Sequence, residues 1–506
     1  MVRIAPAMLL LGVFATANAT QYWNYSDGGI SVMSAGYSDE AKSIVHRLRR
    51  LDAAVTTALG IPSVPERLRT VVYALPRGDF DRVVGKHDYE APSRFFPSPF
   101  ENTILIENSS VNEGQFFDAY FGYTGSVLLS AYTFAYPTWF LRGLANLFGA
   151  SKMSPGHVTI GAVGGRRAQV LSKRRLLPVR TFLAVAADDP RLRDPEFLEL
   201  FDAQSWLLAH LIVVEGRYRE NFYRYFALRN QGEDASKAFA ASFDVAYDSL
   251  DKLLSDTLHV GRIAVLNVPV ADAEESGTPT RLSESVARGR LAELASRFSA
   301  NHDDALAFAH EALDLDAHDA DALSALGRAQ YVHADYAAAL DTAERLCAPA
   351  DATQALREAV LARCGRLFAD LAISAALGKV GGADAAALHL RARDYLRQAT
   401  TIDPDDLESM APLGREHLHL RHREEDPSFL AIAEHTLARH TQCYSLAQVL
   451  TLLYAADGEY DQSLRLAEQW QDAAPTAAER ARAAETLARI RGIEDRRNPA
   501  PPPPSP

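Results

Sequence analysis

A chain of 506 residues with a formal net charge of -13 and 23% charged residues is long enough for more than one domain. Its acidic balance argues against a nucleic-acid binder, whose affinity rests on neutralising phosphates. After the N-terminal leader no apolar run is long enough to cross a membrane, so no span is expected once the leader is cleaved.

Residues 1–19 read as a secretory leader. Arg3 gives the positive start, Ile4 to Phe14 the apolar run, and Ala17, Asn18 and Ala19 the small-x-small cleavage pattern. A periplasmic or secreted protein is expected, with an uncleaved N-terminal anchor as the alternative. Between 38 and 59, Ala41, Ile44, Val45, Leu48, Leu51, Val55 and Leu59 fall at helical spacing. Residues 68–75 then predict a strand, 79–84 a short helix, 93–100 a proline-punctuated loop and 103–107 a second strand.

The stretch 115–149 organises the rest. It is apolar and aromatic, and Pro137 divides it into two helices, because proline fits a helix start and not its interior. Phe117, Phe121, Val127, Leu128 and Tyr132 are expected to form the buried stripe of the first, and Phe140, Leu144 and Phe148 that of the second. The run from Tyr136 to Gly149, with Pro137, Trp139, Gly143, Leu144 and Ala145, resembles the segment after the HExxH helix of gluzincin-type zinc metallopeptidases of the peptidase-MA-like group. Phe121 to Leu129, with Tyr123 and Thr124, stands where that family carries the motif. The resemblance covers about residues 35–262 and implies a small sheet packed on the motif helix.

In HExxH, two imidazoles one helical turn apart bind zinc, and the adjacent carboxylate takes a proton from the metal-bound water. The resemblance places the two histidines at Phe121 and Gly125, the glutamate at Gly122 and the third ligand at Arg142. Phenylalanine and glycine offer no ligand, and arginine would set a permanent positive charge beside the cation. No metal, other cofactor or catalytic residue is therefore expected. The histidines at 46, 87, 157, 210 and 259 supply no replacement pair. The alternatives are ordinary aromatic core without that ancestry, or a shifted register. Candidate cleft residues are Asp118, Tyr123, Arg142, Asp202, Gln204 and His210. Arg142 needs an anion, from Asp118 or Asp202. Asp118 is preferred because it lies three residues before Phe121 and shares its face; otherwise Arg142 reaches solvent along its aliphatic stem.

The glycines at 161, 164 and 165 lack the Gly-Lys-Ser/Thr of a phosphate loop. Arg166, Arg167, Lys173, Arg174 and Arg175 form a basic cluster, read as a solvated face or a site for an anionic partner. Gln204, Ser205 and Trp206 resemble the family's later helix that packs on the active-site region, and residues 233–256 predict two helices around a turn. A polar connector is expected over 263–283.

Beyond it a 34-residue period emerges, in which Ala305 and Ala312 recur as Ala339 and Leu346, with Leu323, Leu326 and Gly327 between. Ala392, Ala399, Pro404, Met410, Leu413 and Gly414 repeat the pattern, as do Tyr454, Gly458, Tyr460, Ala467 and Pro475. The pattern is that of tetratricopeptide (TPR) repeats, with one irregular unit over 350–385. Cys347, Cys364 and Cys443 match no metal site; each is expected as an unpaired buried thiol, Cys347 with Cys364 being the pair that would form if one does.

The expected fold class is α+β: a metallopeptidase-like domain with a small sheet and helices over 20–262, then an all-α TPR-like solenoid over 284–488 and a disordered proline-rich tail over 489–506. The expected function is an exported, non-catalytic scaffold whose array binds a protein or peptide partner on its concave face. The alternative is an active hydrolase with an atypical site in the same cleft.

Overall fold

The computed structural model describes residues 20–61, 69–85, 93–98, 100–108, 116–131, 137–186, 189–231, 233, 235–243, 246–259, 263–271, 277–297, 302–348, 354–420, 428–440, 443–474 and 477–497. The expected leader, the tail from 498 onward, Tyr132 and Pro475 lie outside them.

The first half runs β1 (Tyr22–Asp27), β2 (Ile30–Ala35), α1 (Ser38–Leu59), β3 (Arg69–Leu75), α2 (Arg77–Val84), β4 (Ser93–Pro97), β5 (Glu101–Glu107), α3 (Phe117–Ala131) and α4 (Thr138–Gly149). It continues with β6 (Lys152–Ser154), β7 (His157–Ile160), α5 (Gly165–Lys173), α6 (Val179–Leu183), α7 (Pro195–Val213), α8 (Arg219–Asn230), α9 (Ala235–Ser242), α10 (Tyr247–His259), β8 (Leu266–Pro269) and β9 (Thr280–Arg281). A six-stranded sheet has the order β4-β5-β3-β2-β1-β9, parallel between β2, β3 and β5 and antiparallel elsewhere. A three-stranded antiparallel sheet is made of β6, β7 and β8. Gly28 and Gly29 turn the β1–β2 hairpin at φ 58° and 79°, a region side chains resist.

Both faces of the larger sheet are buried, which is why residues 69–75 read as a nearly unbroken apolar run. Val72, Ala74, Ile104 and Ile106 join a core with α1, α3, α4 and α7. Their alternates Val71, Tyr73, Leu75 and Leu105 join a second core with Phe80 and Val83 of α2.

That second core is completed by the helical half. It comprises α11 (Glu284–Ser296), α12 (His302–Leu315), α13 (Ala320–Val332), α14 (Tyr336–Leu346), α15 (Gln354–Ala376), α16 (Ala385–Ile402), α17 (Leu407–Leu420), α18 (Ser428–Arg439), α19 (Tyr444–Asp457), α20 (Tyr460–Ala473) and α21 (Ala477–Arg497). Leu291, Leu294, Phe308, Ala312 and Leu326, from α11 to α13, cover the second sheet face. The helices stack in antiparallel pairs. The inner helices α11, α13, α15 and α17 carry Gly289, Gly327, Gly365 and Gly414, where an added Cβ would overlap Asp319, Leu367, Leu396 and Val449. Close helix approach at these points sets the stacking.

The chain is thus an α+β domain followed by an all-α solenoid. Several details differ from expectation. Residues 93–97 form an edge strand, where a proline is tolerated because one side of the strand needs no donor. The stretch 263–283 contributes β8 and β9, and α21 continues past 488 to Arg497. The irregular unit is a long α15 and a turn. Cys347 and Cys364 are joined in a disulfide, so neither is a free thiol, while Cys443 is buried and unpaired. On α3 the buried stripe is Ala119, Tyr120, Tyr123, Val127 and Leu128, whereas Phe117 and Phe121 are only half-buried.

Candidate functional site

The crossing of α4 on α7 positions the candidate residues. At Gly143 an added Cβ would overlap the backbone carbonyl of Ser205 and crowd the Ala209 methyl, so glycine lets the two helices touch. Contact at that point also aligns their neighbours. Asp202 lies about one turn before Ser205, and Arg142 directly precedes Gly143. Arg142 donates from Nε and Nη2 to the two carboxylate oxygens of Asp202, at 2.5 and 2.7 Å. The pair is bidentate, with the side chains 29% and 23% exposed. Asp118 is not the partner: burial pushes its carboxyl above the usual range, only partly opposed by Arg94. The preference for Asp118 follows spacing along one helix, whereas the α4–α7 crossing decides the pairing.

Of the four positions marked by the resemblance, Phe121 and Arg142 face each other, Gly122 is covered by a ring and Gly125 is open. The Arg142 guanidinium lies 5.7 Å from the Phe121 ring centroid. The Phe95 ring of β4 fills the space into which a side chain at Gly122 would project. At Gly125 an added Cβ would meet nothing within 4 Å. Arg167 of α5 turns inward, donating to Asn146 Oδ1 at 2.6 Å and facing the rings of Phe117 and Trp206 at 5.8 and 5.5 Å. Burial lowers Arg167 to about 10, against the pull of Asp202. Asn146 in turn donates to the Arg142 carbonyl at 2.9 Å. Phe95, Asn146 and Arg167 are cleft residues that sequence reasoning misses; their contacts come from other elements, and no spacing signals them.

The remaining candidates do not converge here. Tyr123 is buried in the apolar core. Gln204 exchanges two hydrogen bonds with the backbone of Leu177, both at 2.8 Å, and so fastens the segment before α6. His210 is buried two turns beyond Asp202; its Nε2 contacts the Ala264 carbonyl at 2.8 Å, and burial lowers its pKa. The basic cluster divides: Arg166 pairs with Glu199 at 2.5 Å, Arg174 lies 3.7 Å from the same carboxylate, and Arg167 faces inward. Among the described residues no three His, Cys, Asp or Glu side chains are placed to share a metal ion.

A second, more extended feature is a network of charged side chains across α11, α13, α15 and α17. Arg363 of α15 pairs with Asp321 of α13, and Arg366 of α15 with Glu408 of α17 at 2.7 Å. Arg297, just after α11, pairs with Glu101 of β5. Glu293 is 6% exposed. Burial alone would push its carboxyl up, but Arg363, Arg297, Arg366 and Arg328 together hold it at about 2. Asp370 is open to solvent yet walled by neighbouring atoms; burial raises it, against Arg328, Arg415 and Arg366. Arg328 and Arg415 are exposed and have no ion-pair partner among the described residues. No described helix is long and apolar enough to cross a membrane.

No protein family model and no curated protein matches the chain. Among solved structures, that of a thermophilic TPR protein from Thermus thermophilus aligns with 41% of this chain and 100% of its own, at 20% identity and a TM-score of 0.31. So low a TM-score fixes no fold, and the repeat architecture rests on the helix packing described above.

Proposed function

We propose that the chain is an exported, non-catalytic interaction protein, in which a peptidase-like domain without metal ligands carries a TPR-like array that binds a segment of another protein. The observation that carries this reading is the groove of α11, α13, α15 and α17, where Arg328, Asp370 and Arg415 present charge to solvent at successive inner helices. Guanidinium groups spaced along a concave surface recognise carboxylates and backbone carbonyls of an extended segment. The pseudo-peptidase part is supported by the cleft: Arg142, Asp202 and Phe121 form a closed set, and Phe95 stands over Gly122. The leader pattern of residues 1–19 supports export.

A photo-crosslinking residue at 328 or 415, with one at the exposed Tyr37 as control, tests the reading in cells. The groove positions are expected to give a discrete adduct that the control lacks, and the captured protein, once purified, is expected to bind the purified chain. Equal adducts from all three positions, or hydrolysis of peptides by the purified chain, overturns it.

A further inference from the structure

We propose that the turn joining β4 to β5 is a tethered occupant of the solenoid groove, and that the surface it covers takes an extended segment of another protein bearing an aromatic side chain followed by a carboxylate. This rests on the reading of the solenoid as a segment-binding array. Of the helical half, α11 to α13 are the described helices whose apolar residues join this sheet face. Farther along, α16 to α19 enclose an apolar cluster of their own, with Leu396, Leu407, Met410, Leu413 and Leu446. Among the described residues of the first half, Phe100 alone packs against that cluster. The adjacent Glu101 accepts a hydrogen bond from Arg297, on which Glu293 and Glu408 also act. Two consecutive side chains therefore reach from the end of α11 to the α16–α19 cluster.

The turn holds its own shape. Ser98 Oγ accepts from the amides of Phe100 and Glu101 at 3.1 and 3.4 Å, and the flanking strands pair from Ser93 with Ile106 to Pro97 with Asn102. A self-held turn that offers an array two side chains behaves as a ligand on a tether, with high local concentration and a small contact. Its chemistry specifies what can replace it: a ring for the apolar seat, and a carboxylate for Arg297. A free segment competes with the tether, so its apparent affinity falls by the fraction of chains in which the groove is vacant.

The test uses the full mature chain and a fluorescein-labelled peptide of residues 96–102, followed by anisotropy. Phe100→Ala/Glu101→Gln is expected to bind this peptide at least tenfold more tightly than wild type. A peptide with the same two replacements is expected not to bind, and Arg297→Gln in the variant background is expected to weaken binding at least fivefold. Equal affinity of wild type and variant overturns the tether while leaving a segment-binding groove; binding by neither overturns both readings. Circular dichroism checks folding. If the double variant does not fold, Glu101→Gln alone is read the same way, with threefold tighter binding as support and unchanged binding as refutation.

Discussion

Arg142→Ala tests the cleft at its centre. Leaving one member of a buried ion pair alone costs about 3 to 5 kcal/mol. Here the partners keep 29% and 23% exposure, and Arg167 still acts on Asp202 after the change. Solvent screening and that second guanidinium reduce the cost to about 1.5 kcal/mol. Loss of the Arg142 contact with the Phe121 ring adds about 0.5 kcal/mol. The expected destabilisation is therefore about 2 kcal/mol, and Asp202→Ala in the same background should show a coupling of about 1 kcal/mol or more. Trp139 on α4 and Trp206 on α7 are both 0% exposed, so in a Trp23→Phe/Trp470→Phe background, which removes the β1 and solenoid tryptophans, fluorescence during urea unfolding reports this crossing. A coupling below about 0.3 kcal/mol, or a larger coupling of Arg142 with Asp118 than with Asp202, would refute the assignment.

Gly143→Ala drives a methyl into the Ser205 carbonyl, which cannot move aside, and should cost about 2 kcal/mol or more, whereas Gly125→Ala meets nothing and should stabilise α3 by up to about 1 kcal/mol; thermal melts of both decide. Thiol titration of the native protein should find no reactive cysteine and, after unfolding without reductant, one, because Cys443 is buried and burial pushes its thiol up to about 12 while Cys347 and Cys364 are bonded. Opening that disulfide, which closes a 17-residue separation, should cost about 3 kcal/mol. Glu293 is depressed from 4.5 to about 2 in the folded chain, so its stabilisation is complete above pH 4.5 and is lost as the pH falls towards 2. The stability gap between wild type and Glu293→Gln should thus shrink over that interval by on the order of 2 to 4 kcal/mol; a gap independent of pH there would contradict the assignment.

Elements with strong internal periodicity are legible directly. The apolar spacing over 38–59 gives α1, and Pro137 marks the start of α4. The β1–β2 hairpin escapes the sequence reading although Gly28 and Gly29 between alternating segments signal it. Residues 93–97 read as loop because Pro97 outweighs the paired aromatics, a fair penalty for a central strand but not for the end of an edge strand. Apolarity alone assigns Phe117 and Phe121 to the core, yet their faces serve Arg167 and Arg142. Asp202 cannot be chosen over Asp118 without the α4–α7 crossing. In the solenoid, Gly327 and Gly414 stand out in the repeat pattern, but Gly289 and Gly365 do not, since they recur at 38 residues on either side of Gly327 and not at 34. The charged network is illegible because its members are distant in sequence and ordinary in type.

The pairing of Trp23 with Arg281 constrains the order in which the molecule can assemble. A ribosome adding about 5 to 20 residues per second releases the first strands long before their neighbours exist. Until β9 is made, β1 has an open edge; until Leu326 is made, the face of Met33, Val71, Tyr73 and Leu105 has α2 but not its full helical cover. The early intermediate is therefore a half-clad sheet, prone to self-association. Truncation anywhere before the end of α13 should trap that species permanently, and the full-length chain should mature late and cooperatively, paced by contacts between its two halves.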